Sequence, residues 1–147
     1  MTEWVSGWVQ ELSTPRKNGT ALCPFAKKAW DNNEVKVVES QNLWEAVYKE
    51  VAQFGRHKVV LCVQPAPEQN YVELEAACSV LNNWLAFDGQ DIWLLSSEMH
   101  GNSIVFVQKA SELEAASRSL EKLGYYTDYT AEEFERLINQ RRKLIRN

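Results

Sequence analysis

Three cysteines, two histidines and a basic C-terminal run are the residues of this chain whose types could do chemistry. Cys23 stands in Leu22-Cys23-Pro24-Phe25-Ala26-Lys27-Lys28. Proline is favoured at the first helical position, so the spacing makes Cys23 the N-cap of a short helix over about 24–31. A thiol there lies beside free backbone N–H groups and the positive end of the helix dipole. Lys27 and Lys28 add positive potential one turn later. Such surroundings lower a thiol's pKa, and the thiolate is the reactive form. Nucleophilic catalysis also needs a base. His57 begins an apolar strand, and His100 lies on the segment after one, which makes His100 the candidate partner of Cys23. No cysteine or histidine pair has metal-ligand spacing, so no metal is expected. Glycine-rich phosphate loops are absent, and no cofactor is implied.

A second set of residues could bind rather than react. Gln64 ends the strongest strand of the chain, and Asn102 follows His100-Gly101 near the start of another. With Lys27 and Lys28 they are the ligand- or anion-binding candidates near strand and helix ends. Arg141 and Arg142 are further candidates in a basic run that also holds Arg136, Lys143 and Arg146. Cations at a helix C-terminus complement its dipole, and Glu132 and Glu133 open the same helix in the favourable sense. The primary reading of that run is a solvated charged face, and the alternative is a phosphate or nucleic-acid contact. A net charge of −4 gives no global basic field, so a nucleic-acid partner is not expected.

The elements that must position these residues follow from periodicity. Trp4, Val5, Trp8, Val9 and Leu12 repeat with helical spacing, which predicts an amphipathic helix over 2–13. Its two tryptophans pack into their own domain or across a homodimer. Val35–Val38, His57–Val63, Ile92–Leu95 and Ile104–Val107 read as strands. The near-continuous apolar run of the second suits a central strand covered on both faces. Leu43, Val47, Val51 and Phe54 mark a helix that stops at Gly55. A long helix runs from about Glu68 to Phe87, with Tyr71, Leu74, Ala77, Cys78, Leu81 and Leu85 at core spacing. Ser96 to Ser103 reads as a linker, too long for a tight hairpin. Ser111 is placed as the N-cap of a helix closed by Gly124, and Thr130 with Glu133 makes a capping box for the last helix.

This order predicts a single α+β (or α/β) domain over 1–147, with a mixed sheet of about four strands and extra terminal helices. Thioredoxin-like and ferredoxin-like topologies both fit the string. At 45% hydrophobic and 24% charged residues the composition is that of a folded domain. Cys62 in a strand and Cys78 in a helix are expected to be small buried hydrophobes. The first residues have no basic or continuous apolar run, and no stretch approaches a membrane span, which predicts a soluble cytoplasmic protein.

Two resemblances bear on function. Cys23-Pro24-Phe25, with the strand Val35–Glu39 after it, resembles the glutaredoxin active site, where Cys-Pro-aromatic-Cys opens a helix. Ala26 stands where that family's resolving cysteine would be, so the resemblance implies the single-cysteine form. More of the chain is similar to an uncharacterised bacterial family, a domain of unknown function. Its features fall on Leu22–Ala26, Val59–Pro65 and Tyr71–Leu85. That family often carries histidine where this chain has Gln64, and the resemblance implies no known activity. Two functions follow from the residues. The first is a non-catalytic module binding a protein or small ligand; the second is a thiol-dependent enzyme built on Cys23. The first requires fewer partners that the sequence does not supply.

Overall fold

The computed structural model describes residues 26–55, 59–67, 70–99 and 101–145. Helix α1 (Ala26–Asp31) leads to β1 (Val35–Glu39), α2 (Leu43–Ala52) and β2 (Val59–Pro65). The long helix α3 (Tyr71–Phe87) follows, then the hairpin β3 (Trp93–Met99) and β4 (Asn102–Gln108). Helix α4 (Ala110–Lys122), a 3-10 turn (Tyr125–Asp128) and a C-terminal helical run complete the chain. That run is α5 (Ala131–Phe134), a π-helical stretch (Glu135–Asn139) and α6 (Gln140–Ile145).

The four strands form one mixed sheet in the order β1-β2-β4-β3. β1 and β2 are parallel, which requires a crossover, and α2 supplies it. α3 then carries the chain to the far edge, where β3 begins, and β4 returns between β3 and β2, antiparallel to both. The class is α+β.

Side chains alternate across the sheet as the pleat dictates. Val60, Cys62, Leu94, Val105 and Val107 face α2 and α3, meeting Leu43, Val47, Leu74 and Cys78 there. Leu61, Val63 and Ile104 face the other way, with Trp30 of α1 packed against them. Val60 to Val63 are all buried, so β2 is the doubly covered central strand that its apolar run predicts.

Local chemistry sets the element ends. Asn42 caps α2 by accepting from the Glu45 N–H at 3.2 Å, and Asn70 caps α3 by accepting from Glu73 at 2.9 Å. α3 therefore starts at Tyr71, a little later than its apolar spacing suggests. Thr130 and Glu133 form the expected capping box. Ser111 corrects its own prediction. Lys109 is the N-cap of α4, and Ser111 lies inside the first turn, donating its N–H at 2.8 Å and its hydroxyl to the Asp91 carboxylate. The cap comes from a residue far away in sequence. The Ser96–Ser103 linker is also corrected. β3 and β4 continue through it as a hairpin until Met99 pairs with Asn102. Gly101 there has φ +76°, as such hairpin turns demand.

Candidate functional site

A groove of about 710 Å³ lies between α3, β3 and the C-terminal run. This is within the range of small-ligand sites, roughly 300–1,000 Å³. α3 contributes Tyr71, Val72, Glu75, Ser79, Asn82 and Asn83; β3 contributes Trp93 to Ser96. Arg136 and Leu137 from the π-helical stretch, with Gln140, Lys143 and Leu144 from α6, form the opposite wall. Single π turns inside α-helices are frequent at functional sites.

The floor of the groove is a sheet edge. Among the described residues, β3 pairs with β4 on one side only. Asn82, 4% exposed, donates its amide to the Leu94 carbonyl and accepts from the Leu94 N–H, each at 2.8 Å. One side chain thus stands in for a missing neighbouring strand at that residue. Backbone groups of a strand alternate in direction, so the N–H and C=O of Ser96 face away from β4 as those of Leu94 do. The Tyr71 hydroxyl lies 3.5 Å from the Ser96 carbonyl, at the limit of a hydrogen bond.

Charges at the rim are paired. Arg136 meets Glu75 at 3.3 Å and Lys143 meets Glu135 at 2.7 Å. The hydrogen bond from Lys143, with one from Asn139, holds the Glu135 carboxyl below its ordinary value. The lining inside these pairs mixes aliphatic and aromatic surface with amide and hydroxyl groups. That mixture suits an uncharged, partly apolar ligand able to exchange hydrogen bonds.

The residues singled out from sequence are placed elsewhere. Gln64 and Asn102 come together, since Pro65 pairs with Asn102 and Gln64 with Ser103 at one end of the sheet. Gln64 spends its amide on the Gln41 carbonyl at 2.7 Å, tying β2 to the loop before α2. Lys28 is exposed on α1. Cys23, His57 and His100 lie outside the described residues, as do the helix predicted over 2–13 and the side chain of Lys27. Arg141 and Arg142 are not on a solvated face. Arg141, 3% exposed, donates to Ser117 at 2.7 Å and Glu114 at 3.3 Å. Arg142 pairs with Glu114 at 2.9 Å and with Glu121. Both guanidinium groups serve to fasten α6 to α4.

Cys62 and Cys78 are buried, and burial is the main force pushing each thiol up to about 12, with nearby Glu50 and Glu75 adding to it respectively. Neither is a nucleophile at neutral pH. The thiol reading therefore rests on Cys23 alone. Among the described residues no three potential ligands gather to hold a metal ion, and no helix is long and apolar enough to cross a membrane.

The groove itself is absent from the sequence-derived candidates. Its visible signal is Asn82-Asn83, an amide pair inside the uncharged stretch 76–87 of α3. A scan against protein-family models finds no match, and searches of curated proteins and of solved structures find none either.

Proposed function

We propose that this chain is a non-catalytic binding module and that the groove between α3, β3 and the C-terminal run receives a short extended segment of a protein partner. The observation that carries this reading is the β3 edge on the groove floor. Its hydrogen-bonding groups are taken by Asn82 at Leu94 and turn toward the groove again at Ser96. A peptide that adds to a sheet edge gains main-chain hydrogen bonds, and its alternate side chains fill flanking pockets. Val72, Leu137 and Leu144 offer apolar contacts for those side chains, while Asn83 and Gln140 offer polar ones.

A small molecule in the same groove is the second reading, favoured by the volume of about 710 Å³. Amide chemical-shift mapping with a panel of short blocked peptides, uncharged and rich in β-branched and aromatic residues, separates the two. The peptide reading predicts shifts at Ser96, Asn83, Leu137 and Gln140. Shifts confined to the sheet end at Gln64 and Asn102, or none, would count against the groove. Shifts produced by small-molecule fragments alone would select the second reading.

A further inference from the structure

The solvent face of α3, which shares Ala76 and Asn83 with the groove wall, carries a second feature. From Ala76 to Phe87 the helix has no charged residue, in a chain that is 24% charged. Val80, Trp84 and Phe87 are exposed there, Trp84 at 63% and Phe87 at 88%. The Phe87 ring meets Trp84 edge-on at 6.2 Å. Tyr48 of α2, 57% exposed, extends the patch across a shallow, mainly apolar slot of about 190 Å³ that it lines with Val47, Val51, Trp84 and one charged residue, Asp88. Isolated exposed apolar residues are ordinary, but a contiguous, mainly apolar patch marks an interaction surface.

We infer that this face of α3 pairs with the same face of a second copy, two α3 helices crossing antiparallel about a two-fold axis. Three arguments select a second copy. The first is self-complementarity. Ala76, Val80, Asn83 and Phe87 follow the four-three-four spacing of a helix–helix seam. Antiparallel pairing centred between Leu81 and Asn82 sets the protruding Phe87 over the partner's Ala76, large against small, and Val80 against the partner's Asn83. The reverse contacts follow by symmetry, as an isologous interface requires.

The second argument is charge. The chain carries −4, so two copies repel; the uncharged stripe is a surface on which they meet without placing like charges in contact. The third is area. Tyr48, Trp84 and Phe87 each expose more than half of the roughly 150–250 Å² that an aromatic side chain buries. The three rings bring about 400 Å² per protomer, and Val80, Ala76 and the helix backbone carry two copies toward the roughly 1,000 Å² of a specific interface.

The test is the solution mass by light scattering and sedimentation, from low to high micromolar concentration, on the full chain. The wild type is expected to move from the monomer mass to twice that value. Phe87→Glu and Ala76→Lys, both at exposed positions, should each raise the dissociation constant about tenfold or more while far-UV circular dichroism stays unchanged. The double variant should recover the dimer, because the new carboxylate and ammonium face each other across the two-fold axis. Were either single variant to unfold, Val80→Glu gives the same reading. A monomer at every concentration overturns the inference. So does a dimer that the single variants leave intact, or one that the double variant fails to restore. Because Ala76 and Asn83 also line the groove, peptide binding is read separately on the Phe87→Glu variant, whose changed residue lies outside the groove lining.

Discussion

Asn82 does at one position what a neighbouring strand would do along a whole edge. Its carboxamide satisfies both backbone groups of Leu94 inside a buried setting, where an unpaired group costs about 1–3 kcal/mol. Asn82→Leu keeps the approximate shape and removes both bonds. It is expected to destabilise the chain by about 2–4 kcal/mol in urea denaturation. A loss well below 1 kcal/mol would mean that Leu94 finds other partners. The cysteines make a second prediction at this scale. With Cys62 and Cys78 pushed up to about 12 by burial, neither should be alkylated in the native chain at pH 8. Both should label only on unfolding, as mass spectrometry after native and denatured pulses would reveal. Cys23 is the thiol to follow in the same experiment. Fast native labelling confined to it would reopen the thiol reading.

The elements around the groove are held by an ion-pair cluster on one side and an open edge on the other. Glu114 of α4 accepts from Arg118, Arg141 and Arg142, so one carboxylate joins α4 to α6. Burial alone would push Glu114 up, but the hydrogen bonds from the three arginines outweigh it and hold the carboxyl below its ordinary value of 4.5. A carboxyl depressed in the folded state binds fewer protons there than in the unfolded chain. Its contribution is therefore complete above pH 4.5 and is lost as pH falls below that through the folded value. The melting temperature should drop along that acid limb. Glu114→Gln should lower it at neutral pH, by the equivalent of about 1.5–3 kcal/mol for weakened charged hydrogen bonds at a partly buried site, and flatten the acid limb. An acid limb unchanged in the variant would remove Glu114 from the account. At the β3 edge, amide exchange should be slow at Leu94, bonded to Asn82, and fast at Ser96, which faces the groove. Equal protection at both would mean that the edge is closed.

At the scale of the whole molecule, what could be read from the chain is what local sequence controls. The strands rest on apolar runs, Thr130 and Glu133 are near neighbours, and Gly124 takes φ +74° just beyond α4, so all of these were legible. The features that escaped depend on distant residues. Ser96 to Met99 is polar and reads as a linker, yet an edge strand has one side open and tolerates such residues. Asp91, just before β3, caps α4, which starts just after the partner strand β4, and no local signal announces this. Arg141 looks like a surface cation until Glu114 and Ser117 arrive from another helix. The groove needs three segments, residues 71–83, 93–96 and 136–144, that only the fold brings together. Its most direct test is to plug it. Ser79 is an exposed residue of the α3 wall, and Ser79→Trp fills the space without disturbing the core. Titration calorimetry of wild type and variant with the tightest peptide of the panel should give affinity weakened about tenfold or more in the variant. Equal affinity for both, or no peptide bound by the wild type, would contradict the assignment of the groove.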